Sequence, residues 1–203
     1  MIAILDYGIG NVSSISNMLK KIGRDNKITS DTEVINSASK LILPGVGNFE
    51  YCMRQLQQAP FYELLHHKVQ VEKIPILGVC VGCQMLMESS EEGNVDGLGW
   101  IKGKVIKFNS NKMPQGYKIP HMNWTEVEPC PETLLYNNIE EPRFYFVHSY
   151  HVVCDDTSVI TATADYGYSF PASIASENIM GVQFHPEKSH KFGMQLYENF
   201  CAA

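Results

Sequence analysis

The sequence predicts an α/β fold, and three observations support that prediction. Short apolar runs at 2–5, 40–43 and 74–77 each lead into a loop that contains glycine. Apolar residues at helical spacing follow the loops, as in the strand–helix units of a parallel sheet. From Gly97 onward, short alternating or β-branched runs separated by proline and glycine predict a second half rich in strands.

The first unit is a buried strand over 2–5 that ends at Asp6. A loop over 6–11 with two glycines follows it, and a helix is predicted from the helical spacing of Val12, Ile15, Leu19 and Ile22. The two glycines have G-x-G spacing, but no third glycine follows at the spacing of a dinucleotide-binding loop. The loop is therefore a weak candidate for phosphate binding.

The strand predicted over 40–43 runs into Pro44-Gly45-Val46-Gly47. Open α/β sheets hold their ligands at the carboxyl ends of the strands, and a turn with two glycines exposes backbone N–H groups there. Those groups could form an oxyanion hole, or the segment could be a tight turn into a helix over 49–57. A further helix is predicted near 61–72.

The third apolar run leads into Gly78-Val79-Cys80-Val81-Gly82 and then a predicted helix, which is the arrangement of a nucleophile elbow. The central residue of such a turn has strained backbone, so glycines flank it, and a helix N-terminus would favour the Cys80 thiolate. Two alternatives remain at this point. The glycines could serve packing around a buried thiol, or Cys80 and Cys83 could form a redox pair or half a zinc site.

Strands in the second half are predicted at 105–108, 124–127, 144–147, 159–163 and 179–184, with a last helix over about 191–200. The run at 179–184 is followed directly by His185-Pro186-Glu187. Because His185 ends a strand, as Cys80 does, it could act as the base for the thiol, with Glu187 orienting its imidazole. His121, His148 and His151 compete for the base's role, and spacing does not exclude them.

Length and composition exclude some classes of function and cellular location. The 203 residues suit one domain over 1–203, and the net charge of −6 argues against a nucleic-acid partner. No apolar run reaches the length of a membrane span, so a cytoplasmic protein is expected, with its six cysteines as thiols. No metal or organic cofactor is expected, because thiolate, imidazole and carboxylate suffice for amide hydrolysis.

Taken together, the motifs at 44–47, 78–84 and 185–187 resemble those of the class I (triad) glutamine amidotransferases. The segments 6–11, 120–124, 146–150 and 181–189 are similar to those of the glutaminase subunits of imidazole glycerol phosphate synthase. The resemblance covers the chain from the first strand to the last helix. It implies a flavodoxin-like, mostly parallel central sheet with helices on both faces and an antiparallel β extension.

The resemblance also implies roles for individual residues. Cys80 would attack the carboxamide of glutamine, with His185 as acid and base and Glu187 orienting it. Backbone N–H groups of Val46 or Gly47 and of Val81 would stabilise the oxyanion. Two further groups are implied: Gly45, Gly82, Gln84, Ser149 and Tyr150 for holding glutamine, and Gly10, Asn11, Trp124, Tyr145 and Lys188 for docking a (β/α)₈ cyclase or synthase subunit in a heterodimer.

This sequence departs from the family pattern at Val81, Cys83, Asn123 and Thr125, and none of these departures removes a triad member. Asn123 and Thr125 flank Trp124, so a related subunit that supplies ammonia for a bacterial surface-sugar amination is an alternative to histidine biosynthesis. A stand-alone cysteine hydrolase or peptidase, and a non-catalytic binding subunit on the same fold, are further alternatives.

Overall fold

The computed structural model describes residues 1–131 and 133–203. The helices in this part are α1 Val12–Lys21, α2 Thr32–Ser37, α3 Phe49–Gln57, α4 Tyr62–His66, α5 Val81–Gln84 and α6 His190–Ala202. The strands are β1 Ile2–Leu5, β2 Asn26–Thr29, β3 Lys40–Leu43, β4 Ile76–Val79, β5 Ser89–Ser90, β6 Gly103–Lys107, β7 His121–Pro129, β8 Arg143–His148, β9 Tyr150–Cys154, β10 Ile160–Asp165, β11 Ser169–Ser176 and β12 Ile179–Val182.

One half of the main sheet is parallel, and its inner strands are buried on both faces. Its strand order is β2-β1-β3-β4-β12, and every neighbouring pair is parallel. All residues of β1, β4 and β12 are buried, which explains why these strands are apolar runs without alternation. The loops that follow β1, β3, β4 and β12 therefore leave the sheet at one edge, where the carboxyl ends of parallel strands meet.

The other half of the main sheet is antiparallel. The order continues as β12-β11-β10-β7-β8, with each neighbouring pair antiparallel. A second sheet with the order β5-β6-β9 lies beside it. In β8, buried and less buried residues alternate, as expected for a strand with one face on the core.

The predicted α/β fold class, with its parallel sheet and antiparallel extension, is confirmed by this architecture. The extension is longer than the sequence indicated, because in the described residues four of the eight pairings of the main sheet are antiparallel. The helix predicted over 49–57 has those bounds, and it begins where the Asn48 side chain accepts a hydrogen bond from the N–H of Tyr51 (3.0 Å). The helix predicted near 61–72 is α4 followed by a π-helical turn, His67–Val71.

The helix expected after the nucleophile turn is shorter than the sequence suggested. It ends at Gln84, and the carbonyl groups of residues 85–88 accept hydrogen bonds from residues 97–101 instead of continuing the helix. A helix of four residues has a small dipole, so the dipole contributes less to the Cys80 environment than we expected. Within residues 1–131 and 133–203, no helix is long and apolar enough to cross a membrane.

Candidate active site

The turn between β4 and α5 places Cys80 in a strained conformation. Its φ of 55° and ψ of −111° are unusual for a residue with a side chain. The flanking glycines are required by contact: a Cβ on Gly82 would lie 2.0 Å from the carbonyl oxygen of Leu43, and a Cβ on Gly78 would lie 2.6 Å from the carbonyl oxygen of Gly82. The tight packing of β3, β4 and α5 thus holds the Cys80 backbone in place.

The segment 44–47 packs directly on this turn. A Cβ on Gly45 would lie 2.3 Å from the backbone nitrogen of Gly82, so the two chain segments touch. Two further contacts anchor the segment: the Tyr7 hydroxyl donates to the carbonyl of Pro44, and the Cys52 thiol donates to the carbonyl of Val46 at 3.3 Å. The segment predicted to form an oxyanion hole therefore lies against the predicted nucleophile.

His185 and Glu187 follow β12 and form a buried hydrogen-bonded pair. Their Nδ1 and Oε1 atoms are 2.7 Å apart, and both side chains are almost completely buried. The same Oε1 accepts a hydrogen bond from the amide of Asn11 at 2.8 Å. Asn11 was expected at a partner surface, and the structure shows that it also fixes the carboxylate.

Electrostatics around the pair favour a charged imidazole. Burial alone would lower the pKa of His185, but the neighbouring Cys80 and Glu187 raise it to about 10. For Glu187, burial acts to raise the pKa, and the hydrogen bonds from His185 and Asn11 lower it overall. A buried imidazole–carboxylate pair beside a cysteine is an arrangement that can support nucleophilic attack by sulfur.

A cavity of about 370 Å³ opens over these residues. Most of the residues that were predicted for catalysis, the oxyanion and glutamine binding line it, together with Asn11 and Lys188: Val46, Gly47, Cys80, Val81, Gln84, Ser149, Tyr150 and His185. Glu187 lies behind His185. Gly45 and Gly82 do not line the cavity, and their role in the structure is the close packing described above.

Two residues near Cys80 or the cavity had no role predicted from the sequence. Glu92 lines it, and one of its carboxylate oxygens accepts a hydrogen bond from the N–H of Phe49 at 2.9 Å. Gln183 is fully buried, with its amide nitrogen 3.9 Å from the Cys80 sulfur. Glu92 follows a run of polar residues typical of a solvated loop, and Gln183 lies next to a strand of apolar residues, so neither had a spacing signal.

Three of the residues expected at the partner surface, Trp124, Tyr145 and Lys188, form a partly exposed aromatic and basic patch beside the cavity. Trp124 and Tyr145 are paired residues of β7 and β8, and the Lys188 amine lies 5.7 Å from the centre of the Tyr145 ring. His190 was not anticipated, and its ring stacks parallel to Trp124 at 5.6 Å. A Cβ on Gly10 would lie 2.6 Å from Cβ of Pro44, so this glycine also has an internal packing role.

The other candidates from the sequence have different surroundings. His121 and His148 of the antiparallel half and His151 of β9 in the second sheet cluster around the Phe108 ring. Cys83 is buried on the far side of α5, where a Cβ on Gly181 would lie 2.6 Å from its sulfur. Burial raises the pKa of Cys83, which disfavours a reactive second thiolate. Among the described residues, no group of three or more His, Cys, Asp or Glu side chains is arranged to hold a metal ion.

Comparison with known proteins identifies the class to which this site belongs. The family model of glutamine amidotransferase class-I matches residues 3–203. The chain belongs to this family, and it is a glutamine amidotransferase.

More particular relatives are the subunits named imidazole glycerol phosphate synthase subunit HisH. The chain is 52% identical to HisH 2 of Methanococcus maripaludis and 46% identical to HisH 2 of Pseudomonas aeruginosa, each over 98% of both chains. It is 44% identical to HisH of Leptospira interrogans over the whole of both chains.

Solved structures share the fold at low sequence identity. A putative GMP synthase protein of Thermoplasma acidophilum has a TM-score of 0.71 at 20% identity, covering 99% of this chain and 92% of its own. PurLQS of Thermotoga maritima has a TM-score of 0.73 at 17% identity, covering 99% and 97%. These similarities concern the fold alone.

Proposed function

We propose that this chain hydrolyses glutamine to glutamate and ammonia with Cys80, His185 and Glu187 as a catalytic triad. The observation that supports it best is the buried arrangement of a strained cysteine, an imidazole and a carboxylate in one cavity at the edge of a parallel sheet. A thiolate needs a proton donor for the leaving nitrogen, and the raised pKa of His185 supplies one.

The reaction proceeds in two halves. The Cys80 thiolate attacks the carboxamide carbon, and His185 gives its proton to the nitrogen as the C–N bond breaks, which leaves a glutamyl thioester and ammonia. The neutral imidazole then takes a proton from water as the water oxygen attacks the thioester. The C–S bond breaks, glutamate leaves, and the thiolate and imidazolium are restored. Glu187 keeps the imidazole in position throughout, as a third triad member does.

The oxyanion of each tetrahedral intermediate needs donors close to Cys80. Val81 begins α5, so its N–H has no partner within that helix and is free to point at the substrate. Val46 or Gly47 of the segment 44–47 provides the second donor. Removing one such donor typically lowers the rate by about a hundred- to a thousand-fold.

The cavity also has groups that fit the amino-acid end of glutamine. Glu92 is a half-buried carboxylate at the cavity, and burial raises its pKa. An ammonium group beside it would offset that burial, so we assign the α-amino group of glutamine to Glu92. Ser149 and Tyr150 line the cavity as well and would hold the remainder of the substrate with Gln84.

The partly exposed patch of Trp124, Tyr145 and Lys188 is proposed to dock a (β/α)₈ cyclase subunit, giving a heterodimer. Free ammonia in water is mostly ammonium, which is no nucleophile, so a partner that covers the cavity keeps the product reactive. The HisH names of the relatives support imidazole glycerol phosphate synthase, and hence histidine biosynthesis, as the pathway.

A second candidate is a related synthase of bacterial surface-sugar amination as the acceptor. The sequence around Trp124 favours it, because Asn123 is an exposed neighbour of the tryptophan and departs from the family pattern. The glutaminase chemistry is the same in both candidates, and only the partner differs.

Labelling and turnover test the proposal together. A diazoketone analogue of glutamine should alkylate Cys80, as located by mass spectrometry, and Cys80→Ala should abolish both labelling and glutaminase activity. Cys83→Ala is the matched control and should retain both, because its sulfur faces the core. Unchanged labelling in Cys80→Ala would rule out this nucleophile.

The partner is tested separately with the cyclase subunit of Leptospira interrogans and its nucleotide ligand. Stimulation of glutaminase turnover by that subunit supports the histidine pathway. Normal Cys80 labelling without binding or stimulation would keep the chemistry and favour the surface-sugar synthase.

A further inference from the structure

A continuous series of hydrogen bonds joins β7, which carries Trp124, to the cavity. The ring nitrogens of two buried histidines form its centre: Nδ1 of His121 lies 3.0 Å from Nε2 of His148. Thr125 approaches the other nitrogen of His121, with its hydroxyl oxygen 2.7 Å from Nε2. On the cavity side, Nδ1 of His148 lies 2.7 Å from the carbonyl oxygen of Tyr150.

The partners determine the direction of every bond in this series. A carbonyl oxygen can only accept, so His148 carries its proton on Nδ1 and its Nε2 accepts. His121 must then donate from Nδ1, and its Nε2 accepts from the Thr125 hydroxyl. Burial lowers the pKa of His121 to about 4 and lowers that of His148 as well, so both rings are neutral near pH 7.

Aromatic contacts fix the plane of the first ring. His121 lies between Tyr166 and Phe146, which stack on it at centroid distances of 4.0 and 4.9 Å with an interplanar angle of 22° for each. Stacking leaves rotation within the ring plane free, and the two hydrogen bonds of the ring oppose that rotation. Nδ1 donates to His148, and the Thr125 hydroxyl donates to the lone pair on Nε2.

The series continues from the Tyr150 carbonyl to the nucleophile. The amide of Gln84 donates to that carbonyl at 3.0 Å and to the side-chain oxygen of Gln183 at 3.1 Å. Gln183 in turn lies 3.9 Å from the Cys80 sulfur. The Tyr150 carbonyl thus receives two hydrogen bonds, one from the histidine pair and one from the residues that contact Cys80.

We infer that Thr125, His121 and His148 are positioning residues that fix the 149–150 turn for glutamine and connect it to the partner-facing strand. This inference rests on the proposed function for the identity of the substrate. If the Thr125 hydroxyl is removed, the buried lone pair on Nε2 of His121 loses its donor, and rotation of the ring within its plane is no longer opposed at that edge. The bond from His121 to His148, and with it the hold on the Tyr150 carbonyl, should then weaken.

Three variants of the full chain separate this role from a general structural one. Thr125→Val removes the hydroxyl and keeps the shape, whereas Thr125→Ser keeps the hydroxyl. Thr163→Val in β10 is the matched control, because Thr163 is also partly buried in the antiparallel half. Each variant is alkylated with the diazoketone analogue of glutamine over a range of concentrations, which yields the half-saturating concentration and the maximal rate separately.

We expect Thr125→Val to raise the half-saturating concentration by about three- to tenfold, the usual effect of losing one hydrogen bond, with a maximal rate close to wild type. Thr125→Ser and Thr163→Val should match the wild type. Equal values for Thr125→Val and wild type would overturn the inference, as would an equal rise in Thr125→Ser or in Thr163→Val.

A second readout does not depend on the substrate. Long-range proton–nitrogen NMR spectra of the wild type should show His121 and His148 protonated at Nδ1, and Thr125→Val should keep that tautomer but shift the Nε2 resonance of His121, which loses its donor. Protonation at Nε2 in the wild type would overturn the inference. A wild-type chain that shows the expected tautomers but no labelling at Cys80 would instead count against the proposed function.

Discussion

The parallel and antiparallel halves of the main sheet differ in how they contribute to the site. The parallel half supplies groups from strand ends: Cys80 after β4, His185 after β12 and the segment 44–47 after β3. The antiparallel half supplies groups from within paired strands, such as His121 in β7 and His148 in β8. The groups proposed for the reaction thus follow strand ends, with Cys80 in strained backbone, and the buried histidines lie on regular ladders.

The difference shows which kind of structure each task needs. A nucleophile must leave the sheet and face a cavity, which the turn at Cys80 achieves through a positive φ and two flanking glycines. The hydrogen bonds of a buried polar series need donor and acceptor atoms at constant distances. Paired strands provide these through backbone register, and His121 is directly opposite His148 in the β7–β8 ladder. Substitutions in the two halves should therefore differ in the size and kind of their effects.

The largest effect is expected at the triad. Glu187→Gln removes the charge that stabilises the His185 imidazolium, so the glutaminase rate should fall by about 10²- to 10⁴-fold, the range of general acid–base catalysis. The same change should bring the pKa of His185 down from about 10, as followed by NMR titration.

The matched control for Glu187→Gln is Glu33→Gln, an exposed carboxylate near the start of α2. In Glu33→Gln, the glutaminase rate and the NMR titration of His185 should both equal those of the wild type. A rate within twofold of wild type for Glu187→Gln would show that His185 works without a charged partner.

The second-largest effect is a loss of folding stability at acid pH, caused by the buried His121 in the antiparallel half. Burial lowers the pKa of His121 to about 4, whereas the unfolded chain binds that proton near pH 6.5. The unfolded chain therefore gains a proton that the folded chain does not bind as the pH falls from about 6.5 to 4. The stability that the neutral His121 permits is fully present above about pH 6.5 and is lost as the pH falls toward 4. Taken alone, the shift corresponds to roughly 3 kcal/mol of unfolding free energy.

Urea unfolding between about pH 7 and pH 4 measures this loss. His121→Phe keeps an aromatic ring in the cluster and should flatten the decline, while the exposed His67→Gln should leave it unchanged. An equally steep decline in His121→Phe would assign the acid sensitivity to other groups, among them Glu187, whose lowered pKa acts in the same direction.

The two halves also differ in how far the sequence predicts them. In the parallel half, apolar runs and glycine turns indicated β1, β3, β4 and the Cys80 turn, because a strand that is buried on both faces has an apolar sequence throughout. The strand β2 was missed because three of its four residues, Asn26, Lys27 and Thr29, are polar. Its backbone still pairs with β1, since an edge strand needs only one apolar face.

The side-chain contacts of the site were less predictable than its strands. Motif order suggested that Cys80, His185 and Glu187 meet; in the structure His185 is hydrogen-bonded to Glu187, and Cys80 and His185 line one cavity. No periodicity indicates that Asn11 reaches Glu187 across 176 residues of chain, or that the Thr125 hydroxyl faces His121. Such contacts depend on tertiary packing, which residue spacing does not encode.

An intermediate effect is expected for partner binding. Trp124 is a half-buried aromatic residue stacked on His190, and such residues are frequent hot spots of interfaces. Trp124→Ala should weaken the affinity for the cyclase subunit by about 30-fold, or 2 kcal/mol, in titration calorimetry. Alkylation of Cys80 in the isolated chain should stay near wild type.

The control for Trp124→Ala is Tyr51→Ala, which removes an exposed aromatic ring from α3 and should leave the affinity unchanged. Equal affinity of Trp124→Ala and wild type would move the docking surface elsewhere. A loss of Cys80 alkylation in Trp124→Ala would instead indicate that the antiparallel half supports the nucleophile even without a partner.

The smallest effect distinguishes two roles of Asn11, which lies on a loop of the parallel half. Its amide donates to Glu187, and losing a hydrogen bond to a charged group costs about 1.5 kcal/mol, so Asn11→Ala should lower the glutaminase rate by roughly tenfold. Because the bond is internal, the reduction should be the same in the isolated chain and in the complex. A normal rate in the isolated chain together with weaker binding of the cyclase subunit would assign Asn11 to the docking surface alone, and the triad would then be held by His185 and Glu187 without it.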